Sequence, residues 1–240
     1  MRSHIIHAPR LSLTEVHIPV EGGTLEGLLT IPAPSEGLVV FVHGSGSSRN
    51  SPRNRFVAQR LQSAGLGTLL FDLLTPSEEA EDWVTLNRRF NIPLLAGRLV
   101  EATRWIVGQP GVAGRKVGFF GASTGAAAAL MASTLPGCPV ETIVSRGGRP
   151  DLAGAALRRV TIPTLLLVGG IDWEVLELNR NALSALRGKA ELRVIPGATH
   201  LFEEPGTLEQ VSRLAGAWFH RHLAQEPMTR RTHDNPVQVP

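Results

Sequence analysis

From residue 38 onward, short wholly apolar runs alternate with longer stretches of helical pattern, and no other feature narrows the possible folds as much. The runs fall at 38–42, 67–71, 117–120, 142–144, 164–168 and 192–195. A strand that is apolar on both faces needs cover on both sides, and parallel strands need long crossovers, so the pattern predicts a parallel sheet between layers of helix. Residues 13–31 differ: apolar positions alternate around Gly22-Gly23, as in an antiparallel hairpin. Together these segments make an α/β fold with a mostly parallel, twisted sheet of about eight strands and helices on both faces. Helical spacing is clear at 92–107 and 207–223, and at 56–64 after the start signal Ser51-Pro52. The stretch 126–135 is apolar nearly all round and is expected to be a buried helix.

A chain of 240 residues, 42% hydrophobic, can bury one sizeable core. We expect one catalytic domain over residues 1–224 and a flexible tail over 225–240, where Pro, Arg, Asp and Gln mix without period. The net charge is only +3, aromatic residues are 5% and Tyr is absent, so a basic stripe interleaved with exposed aromatics is missing and nucleic acid is not an expected partner. The single cysteine, Cys138, rules out an intramolecular disulfide and fits a reducing, cytoplasmic setting. No charged start followed by an apolar run opens the chain, and nowhere does an apolar run reach membrane-spanning length, so neither secretion nor a membrane is expected.

Gly121-Ala122-Ser123-Thr124-Gly125 lies between the predicted strand at 116–120 and the Ala-rich helix. In that context G-x-S-x-G is a nucleophile elbow, a sharp strand-to-helix turn that leaves the serine hydroxyl exposed above the sheet. The plainer reading is a tight turn with Ser123 as helix cap. A serine hydroxyl is a poor nucleophile near neutral pH, so it needs a base within hydrogen-bond reach and a group to orient that base. The run at 164–168 leads into Gly169-Gly170-Ile171-Asp172, and the run at 192–195 leads into Pro196-Gly197-Ala198-Thr199-His200. Functional groups on parallel sheets gather beyond the carboxyl ends of the strands, so Ser123, Asp172 and His200 are expected to converge as nucleophile, orienting acid and base. Asp172 could instead cap the helix beginning near Trp173, and His200 could be one of eight unremarkable histidines. Asp72 precedes the serine and is out of order, while Glu203 and Glu204 sit too close to His200 in sequence.

Backbone N–H groups of Ser45, in His43-Gly44-Ser45-Gly46, and of Thr124 are the expected oxyanion-hole donors. The glycine-rich loop does not continue as a dinucleotide fingerprint, because Arg49 stands where the third glycine would fall. No metal-ligand spacing is present; His220 and His222, two apart on a helix, face different ways.

The elbow, Gly170-Ile171-Asp172, Ala198-Thr199-His200 and the His43 loop resemble the dienelactone hydrolase branch of the α/β-hydrolases over roughly residues 14–223. Within it, 43–55, 145–151 and 200–206 resemble a bacterial subgroup sometimes fused to a phosphoribosyltransferase domain. The resemblance implies the α/β-hydrolase fold and a hydrolase without cofactor. One departure stands out: dienelactone hydrolase carries Cys at the elbow, which favours a general ester hydrolase here. The segment between 144 and 164 is too short for a lid domain, so small or short-acyl esters or lactones are the expected substrates. Acyl transfer, amide or thioester hydrolysis on the same triad, and a non-catalytic binding module of the same fold, remain open alternatives. Arg146 and Arg149, following the run at 142–144, are candidate ligands for an anionic group on the substrate; pairing with Asp151, Glu78 or Glu79 is the competing reading.

Overall fold

The computed structural model describes residues 12–224. The predicted hairpin is present as β1 (Ser12–Val20) and β2 (Gly23–Ile31), antiparallel and in unbroken register from Ser12 opposite Ile31 to Val20 opposite Gly23. Six parallel strands follow: β3 (Leu38–Val42), β4 (Gly67–Phe71), β5 (Val117–Ala122), β6 (Thr142–Arg146), β7 (Thr164–Gly169) and β8 (Ala190–Ile195). They form one eight-stranded sheet in the order β1-β2-β4-β3-β5-β6-β7-β8, with β2 antiparallel to β4. β3 through β7 are buried along their whole length, as their two-faced apolar patterns require. β8 departs from that pattern because it closes the edge, with Val194 42% exposed.

The first three α-helix starts each carry a side-chain cap. α1 (Pro52–Ser63) opens on Ser51, whose hydroxyl accepts from the Asn54 N–H at 3.3 Å, with Pro at the first helical position. α2 (Pro76–Thr85), absent from the periodicity reading, starts from a reciprocal Thr75–Glu78 capping box. Charged residues dominate it and its apolar Trp83 and Val84 face outward, so it carries no core-facing period. α3 (Ile92–Val107) is capped by Asn91. α5 (Trp173–Ala185) and α6 (Thr207–Leu223) complete the cover, α3 and α5 lying over one face of the sheet and α1 and α6 over the other.

α4 (Thr124–Ala132) is the buried helix behind the elbow, and only Met131 in it is not fully enclosed. Its packing depends on small residues. A Cβ on Gly121 would stand 2.5 Å from Ala126 Cα, and one on Gly125 would fall on the carbonyl oxygens of Val42 and His43. Alanine normally favours a helix interior over glycine by about 1 kcal/mol. Here the backbone obstruction reverses the sign: Gly125→Ala is expected to lower stability by about 2–3 kcal/mol or more, measured as a shifted urea midpoint.

The β6 to β7 connection holds only a kinked 3-10 segment, Pro150–Arg159, so no large lid covers the sheet edge. The predicted tail at 225–240 lies outside the described residues. No helix among the described residues is long and apolar enough to cross a membrane.

Candidate active site

The carboxyl ends of β5, β7 and β8 meet at one edge of the sheet. At the end of β5 the chain turns through Ser123, whose backbone adopts φ 50°, ψ −123°. A non-glycine residue in that region costs on the order of 1–3 kcal/mol and persists only where the surroundings enforce it. Enforcement is visible: the Ser123 N–H donates to Arg146 O at 3.2 Å, and Ser123 O accepts from the Arg149 N–H at 3.1 Å. The strain lifts the hydroxyl out of the turn.

Asp172 and His200 come together because the loops after β7 and β8 ride on one another. A side chain on Gly169 would collide with the carbonyl oxygens of Ala198 and Thr199, and the Ile171 N–H donates to Ala198 O at 3.1 Å. His200 Nδ1 lies 2.7 Å from Asp172 Oδ2, and His200 Nε2 lies 3.3 Å from Ser123 Oγ. With the proton on Nδ1, the ring donates to the carboxylate and offers its Nε2 lone pair to the serine hydroxyl. Ser123 and Asp172 both occupy N-cap positions, of α4 and α5, yet neither side chain caps its helix. Both are committed to His200 instead. The competing acids are engaged elsewhere: Asp72 with Arg49, Glu203 with Arg53 at 2.8 Å, and Glu204 with the Thr199 N–H at 3.1 Å.

Glu204 and Phe202 belong to the site's support, a role that neither spacing nor periodicity assigns to them; Glu204 enters the sequence reading only as an orienting acid. Glu204 ties off the turn before His200. Phe202, at φ 56° and fully buried, anchors the turn after it, while Gly147 packs against the His200 carbonyl. The oxyanion loop is braced by His43, whose Nδ1 bonds Gly44 O at 3.0 Å and whose Nε2 accepts from the Leu73 N–H at 3.1 Å. Burial of that ring depresses its pKa below the ordinary imidazole value, which keeps Nε2 available as an acceptor. The two predicted oxyanion donors stand differently. Thr124 begins α4, so its N–H has no partner within the helix. The Ser45 N–H already donates to Thr124 Oγ1, at 2.7 Å.

The arginines separate by partner. Arg149 makes two parallel bonds to Asp151, at 2.9 and 2.8 Å, which is the pairing that competed with a substrate role. Arg49 is held by Asp72 and Glu26, and Arg53 by Glu203. Arg146 is different: only 8% exposed, it has no carboxylate partner among the described residues, and its Nε and Nη1 are buried there without a hydrogen bond. Burial, and secondarily the nearby Arg53, push its pKa down to about 10. Its guanidinium carbon lies 5.8 Å from the centroid of the Phe202 ring, beside the His200 turn.

A cavity of about 250 Å³ adjoins the oxyanion loop, lined by Gly46, Ser47, Leu74, Glu79, Trp83 and Arg89 among others. A larger hollow of about 440 Å³ lies between α1 and α6, and neither cavity is lined by Ser123, Asp172 or His200. Among the described residues no cluster of His, Cys, Asp and Glu could hold a metal.

No protein-family model matches the sequence. The structure of a dienelactone hydrolase from Anabaena variabilis is 52% identical, with a TM-score of 0.86, over 90% of this chain and all of that one (100%). The chain belongs to the dienelactone hydrolase-like α/β-hydrolases. An esterase from Pyrococcus furiosus, 17% identical over 89% of this chain and 92% of its own, shares the fold at a TM-score of 0.69. Two Mycobacterium tuberculosis proteins bearing the name phosphoribosyl transferase are 56% identical over 217 residues. This dienelactone hydrolase-like chain spans about half of their length, 48%, and that name describes the whole of those longer proteins.

Proposed function

We propose that the protein is a serine hydrolase of small carboxylic esters or lactones, acting through an acyl-enzyme on Ser123. The observation that carries the reading is the unbroken chain from Asp172 through His200 to Ser123, with the two links at 2.7 and 3.3 Å. Ser123 Oγ attacks the ester carbonyl carbon, its proton passes to His200 Nε2, and the carbonyl electron pair moves onto oxygen. Collapse of that intermediate expels the alcohol, which takes the proton from His200. Water then repeats the sequence and releases the acid. Asp172 fixes the ring tautomer and stabilises the imidazolium. The names of similar proteins, dienelactone hydrolase and esterase, agree with ester chemistry, and the absence of a large lid over the sheet edge suits small esters. Labelling by a fluorophosphonate probe, with turnover of p-nitrophenyl esters of graded chain length, tests the reading. A folded protein that neither labels nor turns over any ester or lactone would remove it.

Arg146 supports a narrower statement about substrate, that the preferred ester carries a carboxylate. A buried cation without a counter-charge is costly, and a planar guanidinium can grip a carboxylate through two parallel hydrogen bonds. Arg149 is set aside as its ligand because Asp151 already occupies it. The check compares monomethyl with dimethyl succinate. Arg146→Gln is expected to lower the ratio of kcat/KM for the anionic over the neutral ester by about tenfold or more, roughly 1.4 kcal/mol. Equal loss on both esters would mean that Arg146 only holds the His200 turn in place.

A further inference from the structure

The Ser45 N–H is aimed at a side chain, not into open space. It donates to Thr124 Oγ1 at 2.7 Å, which ties the loop after β3 to the first residue of α4. Thr124 is 5% exposed, and among the described residues its hydroxyl makes no other hydrogen bond. Gly44 makes the approach possible, since a Cβ there would press against the Ala122 carbonyl oxygen and Ser123 Cβ, each at 3.1 Å. A hydroxyl that accepts a hydrogen bond becomes a stronger donor, because the bonds polarise one another. The Thr124 proton is uncommitted, and its hydroxyl belongs to the residue adjoining the nucleophile.

We infer that the Thr124 hydroxyl is a catalytic residue: it and the Thr124 N–H donate to the developing oxyanion, while the Ser45 N–H acts one bond further out by polarising that hydroxyl. The inference rests on the serine-hydrolase reading and changes one part of it, because Ser45 becomes a positioning group where it was expected to touch substrate. As the tetrahedral intermediate forms, the carbonyl oxygen gains negative charge and accepts the Thr124 O–H and N–H. No proton is transferred to it, and both bonds loosen when the carbonyl re-forms.

Thr124→Val keeps the shape and removes the hydroxyl; Thr124→Ser keeps the hydroxyl. Direct donation predicts that Thr124→Val lowers kcat by about a hundredfold with little change in KM, and that Thr124→Ser stays within about tenfold of the parent enzyme. If Ser45 is the true donor, Thr124→Val frees its N–H and kcat holds or rises, which overturns the inference. Loss of activity through a loosened loop is separated by a crystal structure of the unmodified enzyme with a trifluoromethyl ketone bound to Ser123. The adduct oxygen is expected at about 2.7–3.1 Å from Thr124 Oγ1. An adduct oxygen held by the Ser45 N–H, with the Thr124 hydroxyl displaced, refutes the inference and leaves the serine mechanism intact. Failure of the ketone to add to Ser123 in folded protein removes both.

Discussion

Ser123→Ala is expected to leave the fold unchanged and to reduce ester turnover by about 10⁴- to 10⁶-fold. The fold should survive because the Ser123 hydroxyl caps no helix, and the strained turn is held by backbone bonds to Arg146 and Arg149 that alanine retains. The remaining rate would come from the oxyanion donors and from substrate binding, which need no nucleophile to exert their effect. Initial rates on a p-nitrophenyl ester, alongside far-UV circular dichroism and thermal melting, make the measurement. Activity within about tenfold of the parent would end the acyl-enzyme proposal.

His200→Ala is expected to cost nearly as much, and the pair Ser123→Ala with His200→Ala little more than either alone. The two groups perform one step, proton removal coupled to attack, so once either is missing the other has nothing to do. Independent contributions would multiply instead, and a double variant losing the product of the single losses would show that His200 is not the base. Asp172→Asn belongs to the same experiment. An amide at 2.7 Å from Nδ1 can favour the wrong ring tautomer, and a loss of about 10⁴-fold is the expected size. The other acids weighed for the role, Asp72, Glu203 and Glu204, answer Arg49, Arg53 and the Thr199 N–H instead.

Much of this was legible in the chain because its physical causes are local. Period and run length predicted the hairpin, the strands and the helices at 92–107 and 207–223, whose observed bounds are Ile92–Val107 and Thr207–Leu223. The glycines flanking Ser123 announced a turn too tight for side chains, and the order Ser123, Asp172, His200 could be read beside the strand ends. The helix Pro76–Thr85 escaped because a polar surface helix carries little periodic signal; its capping box at Thr75 and Glu78 was the signal available. The cap readings of Ser123 and Asp172 could not be dismissed from sequence, since both do stand at helix starts.

Sequence by itself determined the layered architecture, the elbow and the three strand-end candidates, because alternation and glycine placement act within a few residues of one another and each candidate directly follows its own apolar run. Tertiary structure alone decided which charges are spent and which remain available. Arg149 and Arg146 lie three positions apart and read alike, yet Asp151 satisfies one and nothing among the described residues satisfies the other. Likewise, the Ser45 N–H meets the Thr124 hydroxyl only because β3 and β5 are neighbours in the sheet, across 79 positions of sequence. The Ser45–Thr124 bond depends on a distance of a few ångströms between segments remote in the chain, which no local pattern encodes; the Arg149–Asp151 pair is local, and there the fold decided only which of the two competing readings holds.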